Sequence, residues 1–329
     1  MSVSKLLKNL AVVAGGVVLS LSANAVSAAD LKIAVVTAPG QPRTVIAEHI
    51  AKRVNELTNG SVTATVFHSS QLGKPREVLE GLQLGTVDMA IEASGLVGAF
   101  VPKFNVVYLP FRWKDGEHLT RFINSETWKG WEKELLDTKG IRTLTAVATY
   151  PRELLTTMPV NSPADVKGQK IRVPESAAPI AIWKALGANP VPVAYAESYQ
   201  ALQQGVVQGV EADPANMVGV SWYEVAKNLT LTHHTVDAWP IMISEQTWGS
   251  LKENEQQALM QAAGELHAVM LDVDVKLNEQ AIERMKNAGV TVNDKVDREA
   301  FLALAQPEVA KFTEEFAPGA DKAINDLMQ

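Results

Sequence analysis

The chain has 329 residues, of which 47% are hydrophobic and 20% charged, a balance that is typical of globular domains and excludes disordered and collagen-like classes. Its length favours about two compact units, each large enough to bury a core. Thirty Lys and Arg against 37 Asp and Glu give a net charge of −7, so no basic excess predicts a nucleic-acid partner. The absence of cysteine excludes disulfides, thiolate catalysis and cysteine-held metals.

The N-terminal residues have the pattern of a secretory signal. Two lysines are the only charged side chains before an apolar run over residues 10–21, and small residues follow. The run is shorter than the ~20 residues of a membrane-spanning helix. We predict that residues 1–29 form a signal peptide, cleaved near Ala29 or Asp30, and that the mature protein is periplasmic. A retained membrane anchor is the alternative.

Strands and helices alternate along the rest of the chain. An apolar strand pattern over residues 31–37 is followed by an amphipathic helix that ends near Leu57, and residues 62–67 carry the next strand pattern. Strand–helix–strand order implies a parallel sheet with helices on its faces. The sequence therefore predicts an α/β fold.

A short pattern occurs twice at a constant offset of 120 residues. Each copy places a helix, a glycine suited to a left-handed cap and a β-branched strand in succession. The repeated positions are Glu77, Leu82, Gln83, Gly85 and Val87 in the first copy and Glu197, Leu202, Gln203, Gly205 and Val207 in the second. We interpret them as two lobes of similar topology that meet at a cleft. Chance similarity between ordinary helix–strand units is the alternative.

Two arginines are candidates for binding an anion. Arg172 lies near the carboxyl end of a predicted strand over residues 170–173, where open α/β sheets place their ligands, and Arg152 precedes the same region. A guanidinium matches a carboxylate with two parallel hydrogen bonds. Surface charges are the alternative.

One aromatic and several polar residues accompany them. Tyr195 precedes the second repeat copy, where its ring could lie against a ligand or pack in the core. The polar candidates near the ends of the two repeat strands are Glu92, Ser94, Glu211 and Asp213. A buried carboxylate needs a partner, and an amino or hydroxyl group of a ligand would supply one.

Catalytic motifs are absent from the chain. It contains no nucleophile elbow, zinc-protease helix motif, P-loop or dinucleotide-binding glycine pattern. His233 and His234 are adjacent, and neighbours on a strand point to opposite faces, so they make a poor metal pair. We predict no resident metal, no cofactor and no enzymatic activity.

The last long apolar pattern runs over residues 253–286. It fits one helix of ~50 Å at 1.5 Å per residue, which would span both lobes. It fits equally well two helices with a break near Gly264.

Several motifs resemble those of one transporter family. The first are S-Q-L-G within residues 68–73, L-Q-x-G-x-x-D-M over 82–89 and L-P-F within 107–111. The others are D-x-K-G-x-K-I-R-V-P over 165–174, G-A-x-P-x-P over 187–192 and E-x-Y-x-A-L-Q-x-G over 197–205. Together they resemble the solute-binding proteins of TRAP (tripartite ATP-independent periplasmic) transporters, from about residue 31 to the C-terminus.

The resemblance implies a type II-like periplasmic binding protein of two α/β lobes joined by hinge strands. Such a receptor closes over a small organic acid and delivers it to membrane permease subunits. The resemblance further implies that Arg172 binds the ligand carboxylate, and that Arg152 and Tyr195 belong to the same site.

The chain departs from the family pattern at two places. Ala212 stands where the family often has an asparagine that contacts ligand, and we assign that polar contact to Asp213. In the first lobe, the segment with Glu92 and Ser94 varies around a position for a ligand-reading carboxylate. Both departures leave the solute, and any metal that accompanies it, open.

The predicted lobes are residues 30–151 with 238–275 and residues 152–237 with 276–329. We expect a hinge near Pro151 and Trp239, where Trp239 would sense closure or be an ordinary core tryptophan. A monomer is expected. The alternatives are the binding protein of an ATP-driven transporter and an exported lyase-like enzyme that uses Arg172 for its substrate.

Overall fold

The computed structural model describes residues 29–328. The predicted signal peptide lies outside the described residues except for Ala29, with which the first strand begins. None of the helices in this range has the length and apolar character needed to cross a membrane.

Strands and helices alternate as predicted, and the strands form two sheets. The strands are β1 (Ala29–Ala34), β2 (Val62–Phe67), β3 (Met89–Ile91), β4 (Ile141–Ala148), β5 (Arg152–Thr156), β6 (Lys170–Val173), β7 (Asn189–Pro192), β8 (Gly209–Ala212), β9 (Asn228–Thr235), β10 (Ala238–Ser244) and β11 (Thr291–Asn293). The first half of the chain has the helices α1 (Pro42–Leu57), α2 (Pro75–Leu84), α3 (Ser94–Val97), α4 (Gly116–Ile123), α5 (Glu126–Lys139) and α6 (Pro163–Val166). The second half has α7 (Ala177–Ala185), α8 (Ser198–Gln203), α9 (Pro214–Gly219), α10 (Glu245–Ser250), α11 (Glu253–Gly264), α12 (Leu266–Asn287), α13 (Arg298–Phe316) and α14 (Ala320–Asn325).

Five strands of each sheet share one topology, and the second sheet has β11 as an additional edge strand. The first has the order β2-β1-β3-β10-β4, and the second has the order β11-β9-β5-β8-β6-β7. In the first, β3 lies between the parallel β1 and the antiparallel β10. In the second, β8 lies between the parallel β6 and the antiparallel β5. We call the parts built on these sheets the first and second lobes, and the predicted two-lobed α/β fold is confirmed.

The sequence repeat corresponds to equivalent pieces of the two lobes. Gly85 follows α2 with a φ of 71° and Gly205 follows α8 with a φ of 70°, and both values are left-handed. β3 and β8 come next, at the equivalent positions of their sheets. Glycine adopts this conformation without strain, which allows the chain to turn from helix into a buried strand.

Two short connections carry the chain between the sheets, from β4 to β5 and from β9 to β10, and the helices α10–α12 make a third passage, from β10 to β11. Thr149 and Asp237, one in each connection, bond to each other: the amide of Thr149 donates to the Asp237 carbonyl at 2.9 Å, and the Asp237 amide donates to Thr149 Oγ1 at 3.1 Å. Trp239 follows in β10, opposite Val147 of β4. The residue bounds predicted for the two lobes stay a prediction.

The long apolar pattern near the C-terminus forms two helices, α11 and α12, which meet at Glu265 directly after Gly264. Glu265 binds Arg53 of α1 through both carboxylate oxygens, at 2.7 and 2.9 Å. Farther along α12, Asn278 accepts the Ala215 amide of α9 at 2.8 Å. α12 therefore contacts both lobes.

The C-terminal helices also contact both lobes. α13 packs against α7 of the second lobe and against a 3₁₀ helix of the first, Pro102–Tyr108. After α14, the Leu327 carbonyl accepts from Arg121 Nε of α4 at 2.9 Å. The end of the chain therefore contacts both lobes.

Candidate functional site

The lobes enclose a cavity of about 60 Å³ where the carboxyl ends of their central parallel strands meet. Its first-lobe wall includes Val36, Thr37, Arg43 and Ala93. Its second-lobe wall includes Arg152, Arg172, Tyr195, Ala212 and Asn216. Val36, Thr37 and Ala93 follow the ends of β1 and β3, and Arg172 and Ala212 lie at the ends of β6 and β8, the location at which open α/β sheets bind ligands.

Arg172 is a buried cation of this cavity, and its terminal donors are free within the described part of the chain. It is the third residue of β6 and is 3% exposed. Its Nε donates to the Val193 carbonyl at 2.8 Å, which aims the guanidinium, and its Nη atoms have no hydrogen-bond partner among residues 29–328. Burial lowers the pKa of Arg172, although Glu211 opposes that shift. A desolvated guanidinium with open donors is a site for a planar anion.

Arg152 lines the same cavity with its charge already paired. At the start of β5, it donates to Glu211 Oε2 at 2.5 Å and to the Glu211 carbonyl at 2.7 Å. Glu211 also accepts the Tyr108 hydroxyl at 3.1 Å, and His234 Nε2 lies 3.4 Å away. Burial would raise the pKa of Glu211, but Arg152 and His234 lower it to about 2. Glu211 is therefore an ionised internal partner for Arg152.

Arg43 is a third cationic residue of the cavity, and the sequence analysis missed it. It lies in the first turn of α1, after Pro42, and its Nη1 is 3.2 Å from Glu92 Oε2. Burial raises the pKa of Glu92 to about 7, against the effect of Arg43. On sequence, Arg43 belongs to the polar side of an amphipathic helix. The sequence does carry one indication of its position. Pro42, suited to the first position of a helix, comes shortly after the end of β1, and the turn that follows such a strand end faces the cleft.

Ser94 and Trp239 lie behind the first-lobe wall. The Ser94 hydroxyl donates to Asp237, which also accepts the Ala238 amide at 2.8 Å. Burial raises the pKa of Asp237 to about 6, with Ser94 opposing the shift. The Trp239 ring is buried under Arg43, 4.5 Å from the guanidinium carbon. These residues support the wall, and their side chains do not line the cavity.

The polar group beside Ala212 is Asn216. Asp213 caps the N-terminus of α9 and accepts from both the amide and the side chain of Asn216, which faces the cavity. Burial raises the pKa of Asp213, while Arg152 opposes this. Asp213 thus orients Asn216, a residue that the sequence analysis did not single out.

A glutamine of the first lobe crosses the cleft. Gln41 Nε2 donates to the Tyr195 hydroxyl at 2.9 Å and to Asn216 Oδ1 at 2.8 Å. At the cleft mouth, Lys74 Nζ lies 2.8 Å from Glu197 Oε1. These bonds join the two lobes, so the structure shows a closed cleft.

Metal ligation finds no support in the part of the chain that the structure describes. No three or more His, Asp or Glu side chains there are grouped to hold a metal ion. The cavity offers guanidinium, amide and hydroxyl donors, which bind oxyanions.

Two topologically equivalent lobes around a buried guanidinium define a cleft-type solute-binding protein. The chain belongs to the family of bacterial extracellular solute-binding proteins, family 7 (DctP), whose sequence model matches residues 33–315. This membership confirms the predicted TRAP-type receptor class over the enzyme alternative.

Relatives in this family are similar to this chain over most of their length. The sialic acid-binding periplasmic protein SiaP of Vibrio cholerae is 32% identical over 89% of this chain and 91% of its own. The C4-dicarboxylate-binding periplasmic protein DctP of Rhodobacter capsulatus is 33% identical over 86% of each. Both names describe periplasmic receptors for acids.

Solved structures of TRAP periplasmic solute-binding proteins have the same fold. That of Pseudomonas putida, with bound D-glucuronate, has a TM-score of 0.84 at 28% identity and covers 91% of this chain and 98% of its own. That of Actinobacillus succinogenes, with bound L-galactonate, has a TM-score of 0.86 at 30% identity and covers 91% and 98%.

Proposed function

We propose that this protein is a periplasmic receptor that binds a small organic acid between its lobes and presents it to the membrane permease subunits of a TRAP transporter. The observation that carries the proposal is Arg172, a buried guanidinium whose terminal donors have no partner among residues 29–328. The acids in the names of the relatives and structures support the same class of solute. The receptor acts as a monomer without a cofactor.

In the proposed mechanism, the solute carboxylate accepts two hydrogen bonds from Arg172. Arg152 lies on β5, separated from β6 by β8, and forms the wall beside Arg172 while it keeps its ion pair with Glu211. Tyr195 and Asn216 complete the second-lobe wall beside Ala212. Glu92, Ser94, Asp213 and Trp239 orient the residues that touch the solute. Closure expels water and strengthens each of these charge interactions.

A thermal-shift screen of the purified mature protein against small organic acids tests the proposal. A binding acid raises the unfolding midpoint of the wild type by mass action. We expect no shift for Arg172→Ala and a reduced shift for Arg172→Lys, which keeps the charge but loses the two-pronged geometry. Arg76→Ala is the matched control, because that arginine is 80% exposed on α2.

Two outcomes would contradict the proposal. A shift that survives Arg172→Ala would overturn the carboxylate anchor. If no acid shifts the wild type, and mass spectrometry of the denatured protein finds no co-purified acid, the receptor function itself is wrong.

A further inference from the structure

Arg43 is held loosely for a buried arginine. It makes one contact with Glu92, at 3.2 Å, whereas Arg152 makes two with Glu211, at 2.5 and 2.7 Å. Among residues 29–328, neither its Nε nor its Nη2 has a hydrogen-bond partner. The guanidinium lies on the Trp239 ring and lines the cavity from the lobe opposite Arg172. Arg43 therefore has donors available for a second group.

Glu92 is a weakly held partner. It is fully buried, and its Oε1 has no hydrogen-bond partner in the described part of the chain. The charged groups that act on it are Arg43 from α1, which favours its ionised form, and Asp237 before β10, which opposes it. Arg152 acts in turn on Asp237. The Ala93 amide also favours the ionised form, but burial outweighs both effects. A buried carboxylate with one side-chain contact and an acidic neighbour takes up a proton readily.

We infer that Arg43 is a second anion-binding residue, which exchanges Glu92 for a carboxylate at the far end of the solute while Glu92 takes up one proton. The inference rests on the proposed function and narrows the solute to a short dicarboxylate. One carboxylate binds Arg172 in the second lobe and the other binds Arg43 in the first, so the solute joins the two lobes. The proton comes from solvent, and no covalent bond is broken in the solute.

The exchange has a definite pH dependence. Because the pKa of Glu92 is about 7, the free protein below that pH already carries the proton, and the dicarboxylate displaces no ion-pair partner. Above it, each bound dicarboxylate brings one proton. Its affinity then falls about tenfold per pH unit, as expected for the uptake of one proton.

Isothermal titration calorimetry with short dicarboxylates and their monoamides, which are nearly the same size, tests the inference. At about pH 6 we expect the wild type to prefer the dicarboxylate by about 30-fold, the range for a charge-assisted hydrogen bond. At about pH 8 the preference falls by about tenfold. Titrations in two buffers of different ionisation enthalpy then report the uptake of about one proton.

Three variants separate the parts of the exchange. Glu92→Gln keeps the preference and abolishes the pH dependence and the proton uptake. The double variant Arg43→Gln with Glu92→Gln leaves no buried charge alone, so it avoids the folding penalty of the single arginine variant, and it loses the preference. Arg76→Gln on the exposed face of α2 changes neither.

The outcomes distinguish this inference from the proposed function. Equal affinity for dicarboxylate and monoamide at both pH values, or binding only of acids with a single carboxylate, overturns the role of Arg43 and leaves capture by Arg172 intact. A preference that persists in the double variant also overturns it. Loss of all acid binding in the Arg172→Ala variant tests only the role of Arg172 as the carboxylate anchor and says nothing about Arg43.

Discussion

At the scale of single residues, three arginines around one cavity differ in what their partners leave free. Arg152 is neutralised by an ionised glutamate, and Arg43 is paired with a glutamate that binds protons near neutral pH. Among residues 29–328, Arg172 has only a carbonyl partner. Residue type alone does not distinguish them. The distinction comes from which carboxylate lies beside each guanidinium, and therefore from how α1 packs on the first sheet and how the strands of the second sheet are ordered.

Buried acids predict the pH dependence of the ligand-free protein's stability. Burial raises the pKa of Glu92 to about 7 and of Asp237 to about 6. Asp274, a buried residue of α12 that accepts the Tyr150 amide, has its pKa raised by burial to about 8. The folded protein thus holds protons that the unfolded chain releases above about pH 4, so the free energy of unfolding falls as the pH rises to about 8. We expect urea midpoints to be higher at pH 5 than at pH 8, and Asp274→Asn to reduce the difference. A flat profile would contradict this.

Glu211 contributes with the opposite sign. Its pKa is lowered to about 2, because Arg152 and His234 outweigh burial. The stability that it contributes is present above its unfolded pKa and is lost as the pH falls through about 4 towards 2. Glu211→Gln leaves Arg152 buried without an anionic partner, and we expect a cost of about 3 kcal/mol at pH 7, measured by urea unfolding. A cost below about 1 kcal/mol would show that Arg152 does not depend on this ion pair.

At the scale of elements, the residue that caps α9 also positions a side chain of the cleft. Asp213 caps α9 and orients Asn216, which accepts the bond from Gln41 of the other lobe. We expect Asp213→Ala to cost about 1 kcal/mol of stability and also to weaken solute binding. Asp297→Ala, which removes the equivalent cap of α13 far from the cleft, is the matched control. Equal solute affinity of the two variants in calorimetry would show that the cap of α9 does not influence solute binding.

The two repeat strands show what local pattern can predict at this scale. Helix, left-handed glycine and buried strand are properties of short segments, so the sequence predicted them twice and the structure confirms both. The 253–286 pattern was ambiguous because Gly264 is compatible with a helix or a break. The break forms where Glu265 binds Arg53 of α1, a contact between distant segments.

At the scale of the whole molecule, closure of the cleft brings the backbone of Gly219 in the second lobe close to the side chain of Gln41 in the first. A Cβ added to Gly219 of α9 would lie 2.1 Å from Gln41 Nε2, an atom of the first lobe. Gly219→Ala should displace Gln41 from Tyr195 and Asn216 and lower solute affinity by about tenfold, roughly one hydrogen bond of net free energy. The unfolding midpoint without solute should stay unchanged, because the clash occurs between lobes.

Small-angle X-ray scattering checks this effect on closure. The wild type should become more compact when the identified acid is added, and Gly219→Ala should do so at higher acid concentration. Gly130→Ala on α5, where an added Cβ meets no atom within 4 Å, is the control. An unchanged affinity of Gly219→Ala would show that the Gln41 contacts are not needed for closure.

The sequence alone determined the family, the α/β class and the paired lobes, and it predicted Arg172 as the anchor of the solute. They depend on periodicity, on glycine positions and on motifs of contiguous residues, and all of these are local. Only the tertiary structure decided that Arg43 and Asn216 line the cleft, that Asp213 caps a helix, and that Ser94 and Trp239 lie behind the wall. Each of these facts is a contact between segments far apart in the chain, which is set by how α1, α9 and the crossing strands pack.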